Sequence, residues 1–233
     1  MQLDKRLIVS LIIFMVPFLA QAQEIEDRSF KEFESVRIFG KMTVKMIPGT
    51  EPGVHIEAKG VSLEKIKTSL EDGELKVKLS KLFSNPEVYV EITHKDLESI
   101  EALGDADVSF ARPLVKEEFS VESTMGSVVE LTIEAQELNL KAYQGGQVLI
   151  DGSARALEAY VNTGGILSAT DLICQGVDVR MNTGGKGELT VKEELEATIN
   201  TGSSFSYYGN PAQTNVKTSL GGTVSAWDED KKE

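Results

Sequence analysis

The stretch Leu157-Glu158-Ala159-Tyr160-Val161-Asn162-Thr163-Gly164-Gly165 returns as Val177-Asp178-Val179-Arg180-Met181-Asn182-Thr183-Gly184-Gly185. It returns again, shortened, as Leu195-Glu196-Ala197-Thr198-Ile199-Asn200-Thr201-Gly202. Looser copies lie on either side, at Met125-Gly126-Ser127, Gly145-Gly146 and Gly221-Gly222. With Gly126, Gly145, Gly164, Gly184, Gly202 and Gly221 as markers, the steps are 19, 19, 20, 18 and 19 residues. Self-similarity at such a period marks a stacked-coil chain, in which each repeat buries its apolar face only by lying on the next.

Aligned on these glycines, one side of each coil is a short strand that alternates in polarity. Successive side chains of a strand point to opposite faces. The first aligned position therefore stacks Phe119, Leu138, Leu157, Val177, Leu195 and Thr214 in the interior. The third stacks Val121, Leu140, Ala159, Val179, Ala197 and Val216, and the fifth Ser123, Ala142, Val161, Met181, Ile199 and Thr218. A second β run follows each turn, at Val148-Leu149-Ile150, Ile166-Leu167, Leu189-Thr190-Val191 and Phe205-Ser206-Tyr207, and a less regular third side is expected to close the coil. Equivalent strands of consecutive coils then run parallel, about 4.8 Å apart. A hairpin sandwich would need turn signals at roughly half this spacing. Glycine supplies the positive φ of the corners. Asn tolerates it too, and the Asn162, Asn182, Asn200 row is expected to form a stacked amide ladder.

Phe30 to Leu97 lacks the glycine repeat but carries the period-two alternation of half-buried strands, at Val36-Arg37-Ile38, Met42 to Met46, Val54 to Glu57, Leu75 to Leu79 and Val88 to Ile92. Ser62 to Leu70 reads as a strand leading into the Asp72-Gly73 turn, with a short helix as the alternative. The organisation expected is a signal peptide over 1–22, a linker over 23–32, one β-helix domain over 33–227 and a charged tail over 228–233.

The leader follows from Lys5 and Arg6, the apolar run Leu7 to Leu19, and the small-x-small cleavage pattern Ala20-Gln21-Ala22. The run is too short for a comfortable membrane span and no later segment approaches that length. The chain is therefore read as exported, to the periplasm or the outer cell surface, with no transmembrane segment after cleavage. Its formal net charge is −13, and removing Asp4, Lys5 and Arg6 takes it to −14. Such an acidic balance argues against nucleic acid, which requires a basic face. Cys174 is the only cysteine, so no intrachain disulfide forms, and it reads as a small buried hydrophobe.

The order of these segments resembles the putative auto-transporter adhesin head GIN domain family of exported bacterial proteins. The resemblance rests on Phe33-Glu34-Ser35-Val36-Arg37-Ile38-Phe39-Gly40, on Val88 to Ile92 followed by Leu97 to Ala106, and on the repeated Asn-Thr-Gly-Gly turns. It extends over about Phe33 to Trp227. It implies a right-handed, pectin-lyase-like parallel β-helix and a role in adhesion. It brings no catalytic residues to carry over, and no outer-membrane barrel follows Trp227 in this sequence.

The residues themselves call for no catalytic site, metal site or cofactor. His55 and His94, the only histidines, lie in no zinc-ligand spacing or nucleophile motif. The glycine turns lack the Lys-Ser/Thr and following helix of a phosphate loop. Candidate ligand contacts come from the outward positions instead. Glu158, Asp178 and Glu196 fall in one acidic row, a place where a hard cation such as calcium could sit. Arg180, on the neighbouring row, offers local charge pairing as the plainer reading. Tyr143 and Tyr160 are diagonal neighbours on adjoining coils, able to stack on a sugar or anchor a protein partner. Phe205, Tyr207 and Tyr208 make a second, partly inward aromatic group. The expected function is a non-enzymatic, adhesin-like module of the cell envelope that binds a glycan or a cell-surface protein. The alternatives are a carbohydrate-active β-helix enzyme of the polysaccharide-lyase kind, or a structural envelope protein that assembles through its terminal coils.

Overall fold

Val121, Leu140, Ala159, Val179 and Ala197 stand directly above one another in a computed structural model of the chain, which describes residues 23–80 and 87–227. Each is buried. The expected signal peptide and the charged tail lie outside the described residues. The described chain is a β-solenoid with no α-helix, and its only helical turn is the 3-10 segment Leu63–Lys65.

The strands are β1 (Gln23–Ser29), β2 (Ser35–Phe39), β3 (Thr43–Pro48), β4 (Gly53–Lys59), β5 (Ile66–Glu71), β6 (Glu74–Leu79), β7 (Glu87–His94), β8 (Ser99–Leu103) and β9 (Asp107–Phe110). They continue with β10 (Leu114–Thr124), β11 (Val128–Tyr143), β12 (Gln147–Asn162), β13 (Ile166–Asn182), β14 (Lys186–Ile199), β15 (Ser204–Tyr208), β16 (Gln213–Thr218) and β17 (Thr223–Trp227). On one wall the parallel ladder runs β6–β2–β8–β10–β11–β12–β13–β14–β16. On the other it runs β7–β3–β9–β11–β12–β13–β14–β15–β17.

The long strands β11 to β14 serve both walls. In β11 the strict inside-outside alternation slips by one residue at Gln136-Glu137, where two exposed side chains follow one another. Because the side-chain period is 2, such a slip lets the chain turn a corner and keep an apolar face inward. The separate, less regular third side expected from the sequence is this corner, contained within a continuous strand. The uneven 20- and 18-residue steps are absorbed in β13 and β14, the latter being two residues shorter than β13 between Leu189 and Leu195. One extra residue lies between Ser168 and Leu172 relative to Leu149 and Gly152 of β12, so Leu157, Val177 and Leu195 remain in register.

The glycine corners are type I′ turns. In the one after β12, Gly165 N–H donates to Asn162 O at 3.0 Å, and Thr163 and Gly164 have φ of 50° and 72°. The left-handed residue ahead of glycine is thus Thr163, and likewise Thr183 and Thr201, where the sequence pointed to Asn. Asn162 instead accepts the Thr163 N–H at 2.8 Å and holds the turn from its edge. The second glycine is fixed by space, since a Cβ on Gly165 would lie 2.1 Å from Ala142 O of the coil beneath. Ser127 takes the equivalent place two corners earlier and uses its hydroxyl to donate to Ala102 O at 2.7 Å. The amide ladder is shorter than expected. Asn200 donates to Asn182 at 3.1 Å and accepts from Ser219 at 2.6 Å, while Asn162 is engaged with its own turn.

The N-terminal section belongs to the same solenoid, but its coils do not stack in chain order. The β2–β3 coil is inserted between β6–β7 and β8–β9. The third-position column therefore begins at Leu75, Val36 and Ile100 before it reaches Val121. Beyond β6 and β7 the direction reverses: β5 pairs antiparallel with β6, β4 with β7, and β1 with β4. Residues 23–29, expected as linker, are thus a paired strand. Its charges Glu24, Glu26 and Asp27 hid a backbone that bonds along all of β4. Ser62 to Leu70 divides into the 3-10 turn and the start of β5, close to the strand reading. At the other end the interior columns run out. Thr214, Val216 and Thr218 continue the register but are exposed, because no described strand lies beyond β16.

Candidate binding face

Outward positions of the first wall make two rows that cross the whole ladder. One reads Lys76, Arg37, Glu101, Glu122, Lys141, Tyr160, Arg180, Thr198, Lys217. The other reads Glu74, Ser35, Ser99, Ser120, Asn139, Glu158, Asp178, Glu196, Asn215. The first row carries charges and one ring. The second starts at Glu74, runs through the small hydroxyls of Ser35, Ser99 and Ser120, and passes back into carboxylates.

A groove of about 690 Å³ lies along the first half of this face. Its floor is Ser99, Ser120 and Asn139, with Arg37 and Glu101 at one end and Tyr143, Tyr160 and Glu158 at the other. Arg37 is held 2.6 Å from Glu101 and 3.3 Å from Glu74. Burial raises the Glu101 carboxyl above its ordinary value, with the Arg37 charge opposing and Glu122 adding. Burial likewise raises the Tyr143 phenol, and the Glu122 charge adds to it. Tyr160 donates its hydroxyl to Glu158 at 2.5 Å, the main reason its phenol is raised above its ordinary value. Both rings are half-buried and each leaves part of its surface to solvent.

Arg180 closes the far side of Tyr160. Its guanidinium carbon lies 5.3 Å from the Tyr160 ring centroid, and it donates to the Tyr160 hydroxyl. It also reaches Asp178 at 2.6 Å and Glu158 at 3.5 Å. Local charge pairing, the plainer reading of the sequence, is what these side chains do. Asp178, Glu158 and Glu196 line a second, smaller depression of about 370 Å³ with Asn139. Burial raises the Asp178 carboxyl, Arg180 opposes this, and Glu196 and Glu158 add to it. No group of three or more His, Cys, Asp or Glu with the geometry to hold a metal occurs among the described residues. The six sequence candidates therefore divide. Tyr143, Tyr160 and Glu158 line the groove, Arg180 stands behind Tyr160 outside the groove lining, and Asp178 and Glu196 line the neighbouring depression, which Glu158 shares.

Arg37, Glu101 and Glu122 line the groove and were not singled out from the sequence. The signal was present: Val36-Arg37-Ile38-Phe39-Gly40 and Ile100-Glu101-Ala102-Leu103-Gly104 share spacing and polarity, and they lie side by side in the ladder. Another concavity, about 700 Å³, lies towards the N-terminal end. Its one aromatic, Tyr89, already donates to Glu91 at 2.8 Å, and Lys59 there is paired with Glu87 at 3.1 Å.

The three residues with catalytic potential lie in unrelated settings. His55 sits on the surface of β4, 2.6 Å from Asp27 and 3.3 Å from Glu57. His94 is buried with both ring nitrogens unpartnered, its ring edge-on to Phe110 at 6.4 Å. Cys174 is fully buried in β13, and burial pushes its thiol up to about 12. Phe205 is likewise internal and stacks on Tyr207 at 6.2 Å.

The family described as "putative auto-transporter adhesin, head GIN domain" matches residues 32–211. The chain belongs to this family. Solved structures share this fold at low identity. A putative adhesin from Bacteroides fragilis superposes with TM-score 0.80 at 19% identity, over 90% of this chain and 98% of that one. A putative adhesin from Parabacteroides merdae gives 0.71 at 17%, over 88% and 96%. A putative lipid binding protein from Parabacteroides distasonis gives 0.66 at 13%, over 88% and 96%. No curated protein matches the chain.

Proposed function

We propose that this GIN-domain chain is an exported, non-enzymatic, adhesin-like module that binds an extended, predominantly uncharged glycan along the groove between Arg37 and Tyr160. The observation that carries this reading is the groove itself, where two half-exposed tyrosines stand at one end of a floor of serine and asparagine. Aromatic faces suit the apolar faces of sugar rings, and hydroxyls and amides suit sugar hydroxyls. The floor crosses successive parallel strands, so its repeat of about 4.8 Å gives an elongated ligand repeated contacts. The carboxylates Glu101, Glu122 and Glu158 disfavour an anionic polymer. Export agrees with the leader and with the family's adhesin description. No helix among the described residues is long and apolar enough to cross a membrane.

A lyase would need a free cationic group beside a base, and Arg180 is engaged by Asp178, Glu158 and Tyr160. The test is a glycan array probed with residues 23–233. Signal on neutral glycans is expected to drop at least tenfold in Tyr143→Ala/Tyr160→Ala, with the unfolding midpoint little changed. Unsaturated ends released from a uronate polymer, and lost in Arg180→Ala, would replace this reading with the enzymatic one.

A further inference from the structure

The described part of the solenoid ends, on its C-terminal side, in a sheet edge. Among the described residues, β16 is bonded on one side to β14, and β17 on one side to β15. Val216 ends an interior column and is 37% exposed, and beside it Leu220 is 80% and Trp227 49% exposed. Leu220 sits at the end corner with φ of 48°, which projects a large apolar side chain at the rim. Unpaired edges are templates for pairing, and proteins that avoid this blunt them with charge, proline or a covering element. This end lacks the charge: Lys217 is the only charged residue between Glu196 and Asp228, in a chain of net charge −13.

The opposite end is blunted. There β1, β4 and β5 run antiparallel across the ladder. Arg28 donates to Ile66 O at 2.8 Å and to Thr68 at 3.0 Å, tying β1 to β5, and Glu24 accepts the Leu63 N–H at 3.1 Å. Glu26 and Asp27 add negative charge at that end.

We propose that the β16–β17 edge is a homodimer interface, where two copies meet end to end about a two-fold axis and bury Val216, Leu220 and Trp227. A second copy fits for a physical reason. Two chains of this charge repel through most of their surface, and this coil offers apolar and backbone groups with almost no charge to oppose the approach. A two-fold contact uses the same patch twice and closes on itself, whereas a head-to-tail contact would set this apolar edge against the charges Glu24, Glu26 and Asp27 of β1. The dimer carries two grooves, so a ligand presented in many copies is held by both at once. The interface does not depend on what the groove binds.

Trp227 is the only tryptophan, so its fluorescence reports on the interface alone. The experiment is sedimentation of residues 23–233 across a micromolar to millimolar series, with tryptophan emission read on the same samples. The expected result is a mass that doubles and stops at two copies, with a blue shift of emission over the same range. Val216→Asp/Leu220→Asp is expected to keep the single-copy mass and the red emission, with unchanged thermal midpoint. Val115→Asp, at an exposed apolar residue of β10, is expected to dimerise as wild type does. Single-copy mass throughout would overturn the proposal, as would growth beyond two copies or a dimer that survives Val216→Asp/Leu220→Asp. Blue emission already present in the single copy, and lost on removing residues 228–233, would make the tail the occupant and overturn it equally.

Discussion

β1, β4 and β5 run against the ladder and close its N-terminal end, whereas β16 and β17 run with it and, among the described residues, leave the C-terminal end uncovered. The core residues at the two ends are of the same kind. Ile66 and Leu75 at the closed end are buried, while Val216 at the open end, in the same column as Leu75, is exposed. Burial in a solenoid is thus supplied by the neighbouring rung and not by the residue's own polarity. Charge follows the same division, crowded onto β1 and nearly missing from residues 197–227.

The largest expected effect compares the middle of a column with its end. Leu157→Ala removes a side chain enclosed by Leu138 and Val177, and is expected to cost about 2–5 kcal/mol. Thr214→Ala, in the same column at the open edge, is expected to stay within about 0.5 kcal/mol. Denaturant midpoints of the two variants check this, and equal losses would mean that the edge is covered. A middling effect is expected at the closed end. Arg28→Ala leaves the Ile66 carbonyl without its charged donor and is expected to cost about 1–3 kcal/mol. Lys217→Ala, at the open end, is expected to shift the midpoint by less than about 0.5 kcal/mol.

The smallest expected effect is a pH dependence. Burial lowers the His94 imidazole below its ordinary value; the Lys116 charge adds to this and Asp96 opposes it. In the folded chain His94 therefore resists protonation, and the unfolded chain binds the extra proton first. Stability is lost as pH falls through the unfolded value of about 6.5 towards the lower folded one. His55 has the opposite sign. Its hydrogen bond to Asp27, with that to Glu57, raises it, so its stabilisation is present in acid and fades as pH rises through the folded value. Unfolding midpoints of His94→Leu are expected to fall less steeply than wild type between about pH 7 and pH 5. Parallel profiles would show that His94 is protonated without cost.

The repeat was legible because stacked coils turn a spacing in sequence into a contact in space. Leu138, Leu157, Val177 and Leu195 could be aligned from glycines alone, and the outward rows came with them. The order of the N-terminal coils could not be read this way. Alternation at Val36 to Ile38 identifies a strand but not its partners, and Leu75 and Ile100 lie far from it in the chain. The groove was half legible for the same reason. Tyr143, Tyr160 and Glu158 lie within the repeat, whereas Arg37 and Glu101 reach the face only through the inserted coil. β1 was hidden by its charges, since its pairing with β4 is made by backbone. The left-handed threonines were hidden by propensity, which favours the adjacent Asn at such a position.

Amide hydrogen exchange followed strand by strand, at a concentration low enough to keep single copies, tests the difference between the ends most directly. The account predicts slow exchange throughout β11 to β14, comparable protection in β4 to β7 at the antiparallel end, and fast exchange confined to β16 and β17. Protection of β16 and β17 equal to that of β12, or fast exchange in β4 and β5, would contradict it.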